Sequence, residues 1–378
     1  MSALARSDLA SGHVPVDPRH LARQGADATK DPVGHYLRFG LERGLDPTPW
    51  FLTEWYAWQN PDWARCATPY EHYLDIGRRE GRDPSPFVDV TRYLALTGAE
   101  PVAVYDLILK GQRSLALGVY EGRADLERCQ TAFLQAIEVV AHRIGPPSAR
   151  RRALVVLQAG RGAMTGSWFD DAAREWDLLV NYYDADGFQP GLGDHVIFQK
   201  GTKFTAMWLL WRNFRHLLLG YDHVLFLDDD IETSCQALNH LFRDCRTHDL
   251  ALAQMALSDR SSCNWPELFA RPGAKGPRAI SGVEIMMPVF SRAALEQVAP
   301  TFGRSISGYG LDLAWGKIVR AAGGRIAVLD DVVATHARAV DHGGGAYYSY
   351  LRRHLINPKA ELWVLAEDYD AARTLSSD

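Results

Sequence analysis

Between residues 150 and 345, short and almost wholly apolar runs alternate with amphipathic helical patterns. Six such runs follow one another along the chain: RALVVLQAG, DLLVNYYDADG, YDHVLFLDDD, LALAQMAL, VEIMMPVFS and RIAVLDDVVATHA. Strands that are apolar along their whole length are typical of a mostly parallel sheet covered by helices on both faces. We therefore predict an α/β domain over residues 148–345, in which ligands bind beyond the carboxyl ends of the strands.

The first third of the chain repeats itself with a period of 37 residues. DPVGHYLRFGLERGLDPTPWF (residues 31–51) returns as TPYEHYLDIGRREGRDPSPFV (residues 68–88), and a degenerate third copy begins near Pro101. Each copy is typical of a helix, a Gly stop, a D-P-x-P turn and a second helix. Such units stack and bury a shared apolar seam. His35 and His72 recur at one repeat position without an acidic or Cys partner at ligand spacing in the sequence, which favours helix packing over metal ligation.

These patterns predict four regions: a disordered N-terminus at 1–12, an all-α repeat domain over 13–145, the α/β domain over 148–345 and a C-terminal helical extension over 346–378. The repeat domain ends with ADLERCQTAFLQAIEVVAHRI, a helical pattern that reaches residue 144. The Pro-containing and basic segment GPPSARRR after it predicts the domain boundary.

Composition excludes some classes of function. A net charge of −5 and a pI near 6.2 leave no electrostatic footprint for nucleic acid as a main partner. Five cysteines without a CxxC argue against a disulfide framework or a structural zinc site, and fit a reducing compartment. The N-terminus carries no apolar core of signal-peptide length, and no run is long enough to span a bilayer. We expect a cytoplasmic protein, with peripheral association with the inner membrane as an open alternative.

The run VLFLDDDIET carries the strongest chemical signal, because a buried strand ends on three carboxylates. With a period of two along the strand, Asp228 and Asp230 point to one side and Asp229 to the other. Asp228 and Asp230 can share one Mg²⁺ or Mn²⁺ through oxygen ligands, and such a cation would neutralise a bound diphosphate. The alternative is an acidic strand end that fans out into water.

Four more positions have a chemical interpretation, and each has a purely structural alternative. Asp312 falls in the first turn of a helix after SGYG, where the dipole favours an ionised carboxylate with a pKa of about 4 that can act as a general base. His336 ends the last strand and suits a third metal ligand, better than His342 in the Gly-rich loop that follows. Asp184 ends a strand at a place where a base or ribose could be held, and Lys203 begins a helix where a cation and backbone N–H groups can meet phosphate.

Together these motifs resemble a GT-A glycosyltransferase. FLDDDIE, QMALSD, SGVEIMMPVFSRAAL, GYGLDLAWG and IAVLDDVVATH are similar, over about residues 150–345, to an uncharacterised plant and bacterial family placed among GT-A-like proteins. The N-terminal repeats are similar to HYL…EGRDPSP repeats that are joined to bacterial polysaccharide glycosyltransferases. The resemblance implies a GT-A, Rossmann-like sheet after the repeats, and a role in surface polysaccharide or glycoconjugate synthesis.

The resemblance also implies roles for residues. Asp228, Asp230 and His336 match metal ligands for Mn²⁺ or Mg²⁺, and Asp312 matches the acid that deprotonates the acceptor hydroxyl. The residues expected to bind the nucleotide-sugar donor are Asp184, Lys203 and Asp229. Those expected to bind the glycan acceptor are Tyr309, Gly310 and Glu284. Tyr309 stands where related enzymes often carry Trp, which still allows stacking on a sugar ring. Burial as a structural acid is an equal alternative for Glu284.

Three hypotheses about function follow. The leading one is a metal-dependent, inverting transferase that uses a UDP-sugar. Its repeats could recruit a polysaccharide-synthesis complex, bind acceptor glycan or mediate oligomerisation. The second is a phosphatase of the haloacid-dehalogenase kind, which also uses D-x-D after a strand but carries Thr or Val where Glu232 stands here. The third is a degenerate GT-A fold that binds carbohydrate or acts as a scaffold.

Overall fold

The computed structural model describes residues 15–26, 31–40, 42–338 and 345–371. The segment 1–12 that was predicted to be disordered lies outside these residues, and so do His342 and residues 372–378. The chain forms two compact units, Met1–Glu127 and Arg128–Asp378. Within the described residues, no helix combines the length and the apolar character that crossing a bilayer requires.

The first unit is built from short helices. Its α-helices within the described residues are α1 (Pro18–Arg23), α2 (Pro32–His35), α3 (Thr53–Gln59), α4 (Pro69–His72), α5 (Val90–Thr97) and α6 (Pro101–Leu109). A π-helical turn continues α2 over Tyr36–Gly40 and α4 over Tyr73–Gly77. In both turns a Cβ on the Gly would lie 2.5–2.9 Å from the ring of the Tyr four residues before it. The repeated Y-x-x-x-G therefore lets the ring lie against bare backbone.

The D-P-x-P turns make the same contact in both repeats. The Asp46 carboxylate accepts a hydrogen bond from the Thr53 amide at 2.7 Å, and the Asp83 carboxylate accepts one from the Val90 amide at 2.8 Å. Each Asp thus satisfies an otherwise unpaired amide in the first turn of the following helix. His72 is fully buried, 3.0 Å from the Tyr56 hydroxyl and 3.4 Å from Asp62, so it packs between helices.

The second unit contains one mixed sheet. Its strands within the described residues are β1 (Val139–Arg143), β2 (Ala153–Ala159), β3 (Asp177–Tyr182), β4 (His195–Gln199), β5 (His223–Leu227), β6 (Ile231–Glu232), β7 (Leu250–Leu257), β8 (Pro277–Ala279), β9 (Val289–Ser291) and β10 (Arg325–His336). The order across the sheet is β1-β4-β3-β2-β5-β9-β7-β10-β6, and β8 also pairs with β10. Six of these ten strands run in one direction: β2, β3, β4, β5, β7 and β10. The α/β prediction is confirmed.

Helices surround this sheet. Those of the second unit are α7 (Arg123–Ala136, which begins in the first unit), α8 (Lys203–Leu218), α9 (Cys235–Thr247), α10 (Arg292–Val298), α11 (Leu311–Ala321), α12 (Ala346–Arg353) and α13 (Pro358–Asp368). The central strands β2, β3 and β5 are buried at every residue, because both sheet faces contribute to a single apolar core. The six strands of common direction place their carboxyl ends at the same edge of the sheet, which positions the polar residues that follow them.

Three boundaries differ from those that the sequence pattern predicts. The helix predicted as far as residue 144 ends at Ala136, and the β-branched pair that follows begins β1, which pairs antiparallel with β4. The compact units accordingly divide after Glu127, before the GPPSARRR segment. In VEIMMPVFS only Val289–Ser291 is a strand, since Pro288 has no amide hydrogen for a ladder.

Candidate active site

The antiparallel pairing of β6 with β10 brings Asp230 and His336 together. His336 pairs with Ile231, the residue after Asp230, and the Ala337 amide donates to the Asp230 carbonyl at 3.0 Å. The Asp230 Oδ2 and the His336 Nε2 are consequently 3.3 Å apart. Two residues more than 100 positions apart in sequence thus face each other at the carboxyl edge of the sheet.

The surroundings of His336 place a hydrogen on its Nδ1. Its Nδ1 lies 2.7 Å from the Ser262 carbonyl oxygen, which only accepts, so Nδ1 carries a hydrogen. Burial alone would lower the pKa of His336, but the bond to Asp230 and the Ser262 carbonyl raise it to about 9. Burial would raise the pKa of the Asp230 carboxyl, whereas the hydrogen bond and the charge of His336 hold it below its usual value.

Asp230 and His336 fit a divalent cation. Adjacent ligand atoms on an octahedral ion, with bonds of about 2.1 Å, are about 3 Å apart, close to the distance between this oxygen and this nitrogen. Ligating histidines usually donate their other N–H to a carbonyl or carboxylate, as His336 does to Ser262. A cation here would displace the proton between Nε2 and Asp230, and one carboxylate and one neutral imidazole suit Mn²⁺ or a related ion.

Asp228 is held by a buried lysine. The Lys203 ammonium is 3.0 Å from the Asp228 Oδ1 and also donates to the carbonyls of Ile285 and Met286, at 2.7 and 2.8 Å. Lys203 is 7% exposed and its three hydrogens are used within the protein. The sequence predicts a phosphate ligand at Lys203, but the structure makes it the counter-ion of Asp228. Burial raises the pKa of Asp228 to about 6, against the opposing effect of Lys203.

Asp229 points away from its two neighbours, as the strand periodicity predicts. Its carboxylate accepts hydrogen bonds from the Gly160 amide at 3.1 Å and the Tyr183 hydroxyl at 3.0 Å, and lies 3.3 Å from the Arg338 guanidinium. Burial raises the pKa of this carboxyl. Asp229 therefore ties together the segments after β2, β3 and β10. Arg338 remains half-exposed at the same edge, and no sequence pattern had singled it out.

A second pair of acids, Glu284 and Asp312, lies beside the aspartates. The Met286 carbonyl accepts from the Asp228 amide at 3.0 Å, so the segment with Glu284 runs alongside the end of β5. Burial is the main cause that raises the pKa of Glu284 to about 7, and the negative charge of Asp312 is the second. Burial raises the pKa of Asp312 to about 6. The expected ordinary pKa near 4 is wrong because desolvation outweighs the helix dipole.

Close packing shapes the segment that carries Asp312. Gly308 has φ +82°, and a Cβ there would lie 2.2 Å from the Phe204 ring of α8. Gly310 has φ +85°, and a Cβ there would lie 3.0 Å from the backbone of Leu362 in α13. Both turns need glycine for conformation and for space. They bring Asp312 into the first turn of α11, where it is 8% exposed.

Tyr309 is half-buried, and its hydroxyl is 2.5 Å from that of Tyr348 in α12. The neighbouring Tyr347 donates from its hydroxyl to the Ser307 carbonyl at 2.8 Å and keeps 38% of its surface exposed. Tyr309 and Tyr348 lie close enough to Glu284 for its charge to act on them, and Tyr347 and Tyr348 come from the C-terminal extension. Aromatic rings at such a position can pack against the apolar face of a sugar ring.

Asp184 stands apart from these groups. Its carboxylate caps a short 3₁₀ turn by accepting from the Asp186 amide at 3.0 Å, and it remains partly exposed at the edge after β3.

The sequence gives no sign of several residues that support the site: Ser262, Cys263, Trp265, Arg338, Tyr347, Tyr348 and Glu361. Cys263 lies close enough to Glu284 and Asp312 for their charges to add to the burial that raises the pKa of its thiol to about 12. Four of these supporting residues lie in loops after β7 and β10, and the other three lie in α12 and α13, where no motif marks them.

A different group of possible metal ligands lies away from this edge. Among the described residues, the three side chains with ligand atoms all within 4.8 Å of one another are His240 and Asp244 of α9 and Asp331 of β10. Asp331 is exposed, and the other two are half-buried. Any measurement of metal binding therefore needs to distinguish this cluster from Asp230 and His336.

Comparisons with known proteins give only distant likenesses. No protein-family model matches the chain, and no curated protein matches it. The crystal structure of S. aureus TarS 1-349 matches with a TM-score of 0.31 and 12% identity, over 48% of this chain and 59% of that one. The structure of GalNAc-T7 with UDP, GalNAc and Mn²⁺ matches with a TM-score of 0.38 and 9% identity, over 58% and 55%. This chain thus spans less than two thirds of either, and likenesses at this level assign it neither an activity nor a ligand.

Proposed function

We propose that the second unit is a GT-A-type glycosyltransferase that moves a sugar from a nucleoside-diphosphate sugar, UDP-linked in the first instance, to a hydroxyl of a glycan or glycoconjugate. The observation that carries the proposal is the placement of two different acidic groups at one sheet edge. Asp230 faces His336 at 3.3 Å, and the protonatable pair Glu284 and Asp312 lies beside the end of the same strand. The first group suits a cation and the second suits proton transfer.

The donor side of the proposed site is formed by the residues after β3, β5 and β10. Asp230 and His336 would hold Mn²⁺ or Mg²⁺, with Asp228 beside them, and the ion would supply charge neutralisation for the departing diphosphate. Arg338 adds a half-exposed guanidinium that can pair with phosphate oxygens. Asp184 lies where the nucleoside would bind. Asp229 supports the donor side by holding three segments together.

The acceptor side is formed by the acid pair and the tyrosines. Asp312 takes the proton of the acceptor hydroxyl while that oxygen forms a bond to the anomeric carbon and the bond from this carbon to the diphosphate oxygen breaks. With a pKa of about 6, the Asp312 carboxylate is ionised at pH 7 and is still a stronger base than an exposed aspartate. Glu284 and Gly310 border the acceptor, and Tyr309 offers a ring for stacking. One displacement of this kind inverts the anomeric configuration.

The wider role rests on the resemblance of the repeats to those of bacterial polysaccharide glycosyltransferases. We place the protein in surface polysaccharide or glycoconjugate synthesis in the cytoplasm, with the repeat unit as the part that meets a synthesis complex or the inner membrane. A fold that binds carbohydrate without transferring sugar is the alternative.

The test is the release of nucleoside diphosphate from a panel of UDP- and GDP-sugars, with Mn²⁺ and with simple glycosides as acceptors. We expect one donor to be turned over by the wild type. Asp312→Asn should abolish turnover and keep nucleotide binding, whereas Asp230→Ala should lose both. The matched control Asp331→Asn alters the separate cluster and should retain turnover. Full turnover by Asp312→Asn would refute the role of the base, and nucleotide binding without turnover of any donor would favour the alternative.

A further inference from the structure

Glu361 of α13 holds the backbone that leads into the proposed acceptor segment. Its side chain is 0% exposed. Five groups donate hydrogen bonds to its carboxylate: the amides of Ile306 and Ser307, both at 2.8 Å, the hydroxyls of Ser305 and Ser307, at 3.1 and 2.5 Å, and the Gln130 side-chain amide at 2.8 Å. Four of the five come from the segment Ser305–Ser307.

Burial of a carboxylate is costly unless donors replace the water that it loses. None of the five donors carries a charge, so the carboxylate depends on their number and their alignment. The dependence is mutual, because two backbone amides of the segment have this carboxylate as their acceptor. The position of Glu361 therefore determines the path of the chain over Ser305–Ser307.

The same segment contacts both sides of the proposed site. The Ile306 carbonyl accepts from the hydroxyl of Thr202 at 2.6 Å, and Thr202 caps α8 directly before Lys203, the counter-ion of Asp228. The Ser307 carbonyl accepts from the hydroxyl of Tyr347 at 2.8 Å. The segment thus has one contact near the metal-binding residues and one with the tyrosines that border the acceptor.

The chain that leaves the segment reaches the proposed base within five residues. Gly308 lies against Phe204, the residue after Lys203, and Gly310 lies against Leu362, the residue after Glu361. Asp312 follows in the first turn of α11. A shift of the segment would therefore move Tyr309 and Asp312 relative to Asp228.

We infer that Glu361 is a positioning residue for sugar transfer, acting through Ser305–Ser307 to set Asp312 against the donor side. The inference rests on the proposed function. It makes the C-terminal extension part of the active site, although Glu361 touches neither substrate. Glu361 has no motif around it, and its role follows only from the hydrogen bonds that the fold creates.

The test compares Glu361→Gln with Asp368→Asn. Glutamine has nearly the same shape but replaces one acceptor oxygen by an NH₂ group that cannot accept from an amide. Asp368 lies on the same helix and pairs with Arg304, next to the segment, so Asp368→Asn is a matched loss of one carboxylate. Two quantities are measured: hydrogen exchange of peptides that cover residues 303–313, and the kcat and KM for the donor that the wild type turns over.

We expect Glu361→Gln to speed exchange over residues 305–312 at least tenfold. Its kcat should fall at least tenfold while the donor KM changes less than twofold, because Lys203 keeps its own contacts with Asp228 and with the carbonyls of Ile285 and Met286. Asp368→Asn should resemble the wild type in both measurements. If Glu361→Gln does not fold, Gln130→Ala removes a donor that lies outside Ser305–Ser307, together with its bond to the Arg304 carbonyl, and should show the same pattern with smaller changes.

Unchanged kcat in a Glu361→Gln protein of lower melting temperature would overturn the inference, since Glu361 would then be only a structural anchor. Equal losses in kcat and in donor binding would overturn it as well. A wild type that turns over no donor would contradict the proposed function instead. In that case the exchange measurement alone decides whether Glu361 orders residues 305–312, and unchanged exchange would overturn that claim too.

Discussion

Replacement of the proposed base should make the folded protein more stable at neutral pH. Asp312 is 8% exposed, and burial raises its pKa from 3.8 to about 6. At about 1.4 kcal/mol per unit, the ionised carboxylate costs the folded state about 3 kcal/mol. The folded pKa is above the unfolded one, so the cost is absent below pH 3.8, grows up to about pH 6 and is complete above that. Asp312→Asn should remove this cost, because asparagine carries no charge. It also keeps an oxygen that accepts from the Leu313 amide.

The assay is denaturant unfolding of the wild type and Asp312→Asn at pH 4, 5, 6, 7 and 8, without metal. The gain in the free energy of unfolding should rise from near zero at pH 4 to as much as about 3 kcal/mol at pH 7. For a unit of this size this corresponds to about 6–12 °C in melting temperature. Asp259→Asn, at an exposed acid, gives the baseline. A variant that is less stable than the wild type at pH 8, or a gain that does not vary with pH, would refute the reasoning.

Three further predictions concern the same edge of the sheet. Lys203→Met should lower the free energy of unfolding by about 2–4 kcal/mol, since Asp228 loses its counter-ion and two carbonyls lose their donor; a loss below about 0.5 kcal/mol in denaturant unfolding would contradict this. Gly308→Ala should cost at least about 2 kcal/mol more than Gly323→Ala, which has a similar φ but open space around its Cβ; equal losses in the same assay would be inconsistent. Transfer should fall about tenfold per pH unit below about 6, as Asp312 is protonated, and a flat rate profile would rule this out.

Much of the second unit could be predicted because its strands are apolar along their whole length. The apolar runs that form β2, β3, β5, β7 and β10 contain few polar residues. Each of these strands ends close to the residue where its apolar run ends. Prediction failed where local sequence is ambiguous. The residues of β1 continue a helical pattern without a break, and only their pairing with β4 makes them a strand.

The candidate site likewise has features that the sequence predicts and features that it does not. The alternation of Asp228, Asp229 and Asp230 follows from strand geometry, and the structure gives each side chain a different partner. The sequence could not give the environment of these residues. Lys203 meets Asp228 because two separate segments pack together, and Glu361 meets residues 305–307 from more than 50 positions farther along the chain. Such contacts depend on tertiary packing, which short sequence motifs do not predict.

The central claim is that Asp230 and His336 form a metal-dependent nucleotide site, and thermal unfolding with UDP, GDP, ADP and CDP, each with and without Mn²⁺, tests it most directly. Selective binding to the folded state raises the free energy of unfolding, by about 2.7 kcal/mol at a ligand concentration 100 times Kd, and therefore raises the melting temperature. We predict a rise with UDP that needs Mn²⁺, disappears in Asp230→Ala and persists in His240→Ala. No rise with any nucleotide, or a rise that survives Asp230→Ala and disappears in His240→Ala, would contradict the account.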